Sequence, residues 1–169
     1  PNAKIIHFDV DHSSVSKIIE ANIAVFGQVK NSLNEIIKLC ELKKEMINTK
    51  KISSWKNQIE EWKKSHGLNH DMYLENSDDS PIMPQAVVQH VYNITKGKAF
   101  VTSDVGQHQM FAAQYYHFDE PRKWINSGGL GTMGFGLPSA MGVKLAFPND
   151  EVVCITGEGS IQMCIQELS

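Results

Sequence analysis

The feature that most constrains the fold is a glycine-rich block, followed by an apolar strand that ends in a second glycine turn. The block covers residues 127–136, and the strand with its turn covers residues 152–160. Glycine permits positive φ angles and lets a ligand approach the backbone closely. A carboxylate at such a turn, here Glu158, is suited to holding a hard cation, which in turn holds a diphosphate. The sequence therefore predicts a phosphate-binding site at this pair of turns.

Short apolar runs alternate with helical patterns along both halves of the chain, which predicts an α/β fold with parallel strands. In the first half the predicted elements are a strand over 4–11, a short helix capped by Ser13 or Ser14, a strand over 23–26, and helices over 31–48 and 53–67. In the second half they are a helix from Pro84 to Gly97, a strand over 98–103, a helix covering 110–115, a strand over 124–126, a helix over 134–147 and a strand over 151–156.

A change of composition separates the two halves. Residues 65–83 are rich in Asn, Asp, Ser, Gly and Pro, which is typical of a linker. We therefore predict one domain segment over 1–64, a linker over 65–83 and a second segment over 84–169. Parallel sheets bind ligands beyond the carboxyl ends of their strands, so the turns at 105–106, 128–131 and 157–160 are expected to converge.

Composition narrows the class of protein. The formal net charge of -3 gives no basic field, so neither nucleic acid nor an anionic membrane surface is expected as a partner. No apolar run approaches the roughly 20 residues of a membrane span. The three cysteines, Cys40, Cys154 and Cys164, form no C-x-x-C pair, so neither a zinc site nor a disulfide framework is predicted. A reducing, cytoplasmic compartment fits best.

The residue pattern by itself does not decide which ligand, if any, binds at the glycine turns. The segment Gly129–Gly134 matches G-x-G-x-x-G, and Glu158 ends the next strand, which together fit a dinucleotide site of an NAD- or flavin-binding oxidoreductase. The structural alternative is tight helix–strand packing without a ligand. A lone histidine such as His108 is more often structural than catalytic, although its place after a strand–glycine turn favours ligand contact.

Three blocks of the sequence, residues 103–110, 124–140 and 152–166, resemble the acetolactate synthase (acetohydroxyacid synthase) family, in particular the bacterial catalytic large subunit. The similarity extends over essentially the whole chain. It implies the end of a central FAD-associated domain followed by the start of a thiamine diphosphate-binding domain, each with a parallel sheet. It also implies an enzyme that uses thiamine diphosphate, Mg²⁺ and FAD, with pyruvate decarboxylated and joined to a second pyruvate or to 2-ketobutyrate in branched-chain amino acid biosynthesis.

The resemblance also assigns residues. Glu158 takes the Mg²⁺ position, and Met133 is the apolar prop against which the cofactor bends. No catalytic side chain is assigned. The positions matched to thiamine diphosphate contacts are Val105, Gly106, Gln107, His108, Gly131, Thr132, Met133, Glu158, Gly159 and Ser160. The positions matched to FAD contacts are Asp9, Val10, Gln28 and Val29.

Two positions depart from the family pattern, since Glu158 replaces the usual aspartate of a Gly-Asp-Gly turn and Gln28 stands where aspartate is common. The first departure keeps a catalytically impaired homologue among the alternatives. The family's activating glutamate and a further metal-binding asparagine have no counterpart in these residues, so the 169-residue piece alone is expected to be inactive. For the full-length chain, the resemblance implies 2-keto acid substrates, a homo-oligomer and a small regulatory subunit.

Overall fold

The computed structural model of the chain describes residues 3–66 and 81–169. The chain divides into two compact units, residues 1–61 and 62–169. Most of the predicted linker, 65–83, lies outside the described residues, so the predicted domain boundaries stay predictions. Among the residues that are described, no helix is long and apolar enough to cross a membrane.

The first unit contains two short parallel strands, β1 and β2. Ile6 pairs with Ile23 and Asp9 with Phe26, so both strands end at the same edge. The Gly27 N–H donates to the Asp9 carbonyl at 3.0 Å and ties the two ends together. The elements in order are β1 (Ile6–Asp9), β2 (Ile23–Phe26), α1 (Val29–Leu42), a 3₁₀ turn (Lys44–Met46) and α2 (Thr49–His66), which continues past residue 61, where the unit ends.

The short helix predicted between β1 and β2 is wrong. Residues 12–16 form turns, and Ser16 has a left-handed φ of 59° that a helix does not tolerate. The Asp11 carboxylate accepts hydrogen bonds from the Ser13 N–H and hydroxyl and from the Ser14 hydroxyl. Such local side-chain bonds compete with a helix, and here they win.

The second unit is built around a three-stranded parallel sheet in the order β4-β3-β5. The central strand β3 therefore pairs with a strand on each side, and its residues are all buried. The elements in order are α3 (Pro84–Thr95), β3 (Phe100–Ser103), α4 (Gln107–Tyr115), β4 (Trp124–Asn126), α5 (Gly136–Ala146), β5 (Val152–Ile155), α6 (Glu158–Gln162) and a 3₁₀ turn (Ile165–Leu168).

The predicted α/β fold with parallel sheets is confirmed in both units. In the second unit the apolar core lies between β3 and the helices α3 and α4. Val101 of β3 contributes to this core with no exposed surface, and Tyr116 is 2% exposed. The Tyr116 hydroxyl also shares a 2.9 Å hydrogen bond with the Thr95 hydroxyl at the end of α3. This packing holds α3 and α4 against the central strand of the sheet.

Candidate functional site

A cleft of about 490 Å³ opens beyond the carboxyl ends of β3 and β5. Its walls come from the turn after β3, the first turn of α4, the glycine block and the turn after β5, and α3 contributes its first residue. The lining residues are Pro84, Val105, Gly106, Gln107, His108, Phe111, Met133, Thr156, Gly157, Glu158, Gly159 and Ser160. The turns at 105–106 and 157–160 thus meet at one sheet edge as expected, whereas the turn at 128–131 does not line the cleft.

Two helices begin at this cleft. Gly106 precedes α4, and Gly157 precedes α6. The first N–H groups of a helix have no carbonyl partner within it, so Gln107 and His108 in α4 and Gly159 and Ser160 in α6 present free donors. The start of α4, the longer of the two, also carries partial positive charge. The wall of the cleft is therefore suited to an anion such as a phosphate group.

The His108 ring lies between two glycines of the cleft. A Cβ on Gly106 would lie 2.8 Å from its Cε1 atom, and a Cβ on Gly157 would lie 3.0 Å from the same atom. Any side chain at either position would therefore displace the ring. His108 Nε2 is buried and has no hydrogen-bond partner among the described residues. An orphaned buried nitrogen beside a cleft is a group that a bound ligand would satisfy.

Glu158 is the exposed carboxylate of the cleft. A bare anion held by the helix starts would be repelled by it, whereas an anion that carries a divalent cation would not. No group of three or more His, Cys, Asp or Glu side chains in residues 3–66 and 81–169 forms a ready metal site. A cation at Glu158 would therefore draw its other ligands from the anion, from water or from other chain segments.

The glycine block forms a turn closed by its own hydrogen bonds, so it does not add a second set of free N–H donors to the cleft. The Gly131 N–H donates to the Ser127 carbonyl at 2.8 Å, and the Thr132 N–H donates to the Ser127 hydroxyl at 3.0 Å. Gly131 and Gly134 have φ angles of 70° and 83°, the left-handed region that glycine accepts without strain. This turn delivers Met133 to the cleft, where its Cε would meet a Cβ on Gly159 at 3.4 Å.

The structure brings most of the predicted site residues together. Eight of the ten positions matched to thiamine diphosphate contacts line the cleft, and the exceptions are Gly131 and Thr132. Gly131 still lies close behind it, since a Cβ there would be 3.9 Å from Val105 Cγ1. Gly129, the first glycine of the possible dinucleotide motif, does not line the cleft either. The geometry thus gives the dinucleotide interpretation no support at this cleft.

Sequence reasoning missed several residues of the site. Pro84, Phe111 and Thr156 line the cleft without having been predicted, and Gly157, which belongs to the predicted turn at 157–160, was not among the predicted contact residues. Asp104 is a more telling omission, because it has no exposed surface and directly follows the central strand. An acid directly after an apolar strand and before Val105 was a signal that could have identified it.

The four positions matched to FAD contacts lie in the first unit. Asp9 is the last residue of β1 and Val10 follows it, while Gln28 and Val29 come shortly after β2, so the parallel pairing places them at one edge. Asp9 Oδ1 accepts a 2.9 Å hydrogen bond from the N–H of Asp11. The Ser13 hydroxyl and N–H hold the pKa of Asp11 below its usual value, so this turn keeps a negative charge.

Comparison with known proteins supports the class of protein that this site suggests. Residues 104–169 match the family model described as "Thiamine pyrophosphate enzyme, C-terminal TPP binding domain". That range holds all ten positions predicted to contact thiamine diphosphate. The matched part of the second unit is therefore similar to the C-terminal thiamine diphosphate-binding domain of such enzymes.

Over its whole length the chain is similar to acetolactate synthase large subunits. It is 56% identical to the large subunit of Buchnera aphidicola subsp. Schlechtendalia chinensis and 52% identical to the isozyme 3 large subunit of Escherichia coli, with 100% of the chain and 29% of each protein covered. It is 38% identical to the chloroplastic acetolactate synthase 1 of Nicotiana tabacum, with 99% and 24% covered. The resemblance that the sequence motifs indicate is thus confirmed, and the chain spans less than a third of the length of these relatives.

Proposed function

We propose that the chain is part of a thiamine diphosphate- and Mg²⁺-dependent acetolactate synthase. The observation that carries the proposal is the meeting of two helix N-termini and the Glu158 carboxylate at one cleft. Free N–H groups favour a diphosphate, and the carboxylate favours a cation that neutralises it. The ligand therefore combines both charges, as Mg²⁺–thiamine diphosphate does, and the family match of residues 104–169 supports the same ligand.

The residues present fit this cofactor. His108 Nε2 is buried without a partner among the residues that the structure describes and supplies a polar atom for it, while the N–H groups of Gly159 and Ser160 suit its phosphate oxygens. Met133 and Phe111 give the cleft apolar surface that excludes water from the ligand. When bound, thiamine diphosphate supplies the electron sink that decarboxylation of a 2-keto acid requires. The chain's own groups bind it, orient it and keep the cleft dry.

The wider assignment follows from the family resemblance and extends the proposal. We infer that the complete protein joins the product of pyruvate decarboxylation to pyruvate or 2-ketobutyrate, as a homo-oligomer with a small regulatory subunit. FAD is proposed at the edge formed by Asp9, Val10, Gln28 and Val29, where the parallel strands end together. A cytoplasmic location is proposed because the cysteines in the described residues are free.

Calorimetry on the complete protein that the gene encodes tests the cofactor. We expect thiamine diphosphate to bind only when Mg²⁺ is present, and NAD not to bind. Glu158→Gln should weaken this binding at least about tenfold, because it removes the charge facing the cation and leaves the shape of the side chain. Metal-independent binding of NAD would instead support the oxidoreductase interpretation.

The same material tests whether Glu158 makes the protein an impaired homologue. Acetolactate formation from pyruvate is compared in the wild type and in Glu158→Asp, which restores the family's usual residue. Equal activity of the two proteins supports a functional glutamate. A wild type that is inactive and a variant that is active would show that the added methylene group disables the site.

A further inference from the structure

Asp104 is a fully buried acid at the point where the turns of the cleft meet. Its Oδ1 atom accepts a 2.9 Å hydrogen bond from the Gly136 N–H, the first residue of α5. Its Oδ2 atom accepts a 2.6 Å hydrogen bond from the hydroxyl of Thr156, which directly follows β5. Its own N–H donates to the Ile155 carbonyl at 3.1 Å. One side chain therefore joins the ends of β3 and β5 to the start of α5.

These bonds connect three segments that form the cleft: the turn after β3, the turn after β5 and the glycine block. Val105 and Gly106 follow Asp104 directly, and Gly157 follows Thr156 directly. Gly136 ends the turn that delivers Met133, and its carbonyl also accepts a 2.9 Å hydrogen bond from the Thr102 hydroxyl of β3. A shift of the carboxylate is therefore passed on to the residues around the cleft.

We propose that Asp104 is the positioning residue of the cofactor site, holding the turns after β3 and β5 and the glycine block in one register without itself touching the ligand. The proposal rests on the proposed function, since it takes the cleft as the diphosphate site. It is argued from the shared bonds of one buried carboxylate, and Asp104 does not line the cleft. Its loss should weaken cofactor binding.

A buried carboxylate is costly to desolvate, so its hydrogen bonds must offset that cost. The N–H at the start of α5 is a favourable donor, because a helix N-terminus stabilises negative charge. Asparagine has the same shape and keeps an oxygen for the Gly136 N–H. Its amide group can donate to the Thr156 hydroxyl, which is able to accept as well as donate. Asp104→Asn therefore preserves both links, whereas Asp104→Ala removes both.

The test measures the dissociation constant of thiamine diphosphate, at saturating Mg²⁺, for the complete protein and its variants. We expect Asp104→Ala to raise this constant about 10- to 100-fold, the range found when groups that orient a ligand's contacts are removed. Asp104→Asn should stay within about threefold of the wild type, because both hydrogen bonds are kept. This rescue distinguishes positioning from a need for the negative charge.

Tyr116→Phe is the matched control for lost stability. It removes a buried hydrogen bond to Thr95 in the same unit, but Tyr116 does not line the cleft. We expect a lower melting temperature with an unchanged dissociation constant. If Asp104→Ala does not fold, Thr156→Val and Thr156→Ser test the same bond, since only the serine variant keeps the hydroxyl. The valine variant should bind more weakly than the serine variant.

Equal affinity of the wild type and Asp104→Ala would overturn the positioning role and leave the proposed function standing. If Asp104→Ala does not fold, equal affinity of Thr156→Val and Thr156→Ser would likewise overturn the positioning role and leave the proposed function standing. Failure of the wild type to bind thiamine diphosphate with Mg²⁺ would overturn the proposed function and the positioning role with it.

Discussion

Gly136, the first residue of α5, lies against Asp104 at the end of the central strand. A Cβ at this position would be 2.7 Å from Asp104 Oδ2 and 2.9 Å from both Cγ and the backbone nitrogen of Asp104. Real Cβ atoms are not found this near to such atoms, and the backbone nitrogen is fixed by its bond to Ile155. Gly136→Ala must therefore push the start of α5 away from β3.

Two opposing effects set the size of the change. Replacing glycine by alanine in a helix gains about 0.5–1 kcal/mol when the added methyl group meets nothing. Forcing a methyl group into a well-packed core costs about 1–3 kcal/mol. Gly136 is not among the glycines with positive φ, so backbone strain adds nothing. We expect a net loss of unfolding free energy on the order of 1–2 kcal/mol for Gly136→Ala.

Gly142→Ala provides a control in the same helix. A Cβ on Gly142 would have no atom within 4 Å, so only the gain of about 0.5–1 kcal/mol applies. Urea unfolding of the two variants, followed by far-ultraviolet circular dichroism, should shift the midpoint in opposite directions. A Gly136→Ala protein as stable as the wild type would refute the argument from close contact.

Three further predictions concern the cleft and the cysteines. Gly157→Ala should weaken thiamine diphosphate binding about tenfold, because its Cβ would lie 3.0 Å from the His108 ring and displace it; equal affinity in calorimetry would contradict this. Burial raises the pKa of the Cys154 and Cys164 thiols, so both stay protonated in the folded protein and should react with a thiol reagent far more slowly than the exposed Cys40. Because those pKa values are raised in the folded protein, the protonated thiols contribute to the free energy of unfolding at neutral pH. This contribution is lost as the pH rises through the raised pKa values, and measuring the free energy of unfolding from pH 7 to 10 would detect the loss.

The strands were the most predictable part of the fold. The strand over Trp124–Asn126 has the predicted bounds, as does Ile23–Phe26, and β3 is shorter than predicted only at its start. Each is a short apolar run beside polar residues or glycine, so the local pattern contains the information. Parallel pairing also followed from the alternation of strands and helices.

Helix ends were less predictable, because several residues compete for each cap. The second helix begins at Thr49 rather than at the predicted Ser53 or Ser54. Asn48 explains the difference, since its side-chain oxygen accepts a 3.0 Å hydrogen bond from the N–H of Lys51 and caps the helix earlier. Asparagine and serine are both good caps, and the sequence alone does not rank two candidates so close together.

The cleft was predictable at its turns but not at the group that holds them together. The turns carry glycine, which marks them locally. The two side-chain bonds of Asp104 reach Gly136 and Thr156, which lie 32 and 52 residues further along the chain. Such pairings depend on the order of strands in the sheet, and the local patterns of a single sequence do not reveal that order.

The long reach of the Asp104–Thr156 bond links ligand binding to folding. The bond joins residues that are 52 positions apart in the chain, so the pocket forms only after β3 has paired with β5. The unfolded chain therefore has no assembled site for the cofactor. A ligand that binds only the folded state stabilises it, by about 2.7 kcal/mol at a concentration one hundred times its dissociation constant. Under the proposed function, the amount of intact protein in a cell would follow the supply of thiamine diphosphate. Thiamine starvation would then lower the amount of the enzyme through proteolysis, in addition to lowering its activity.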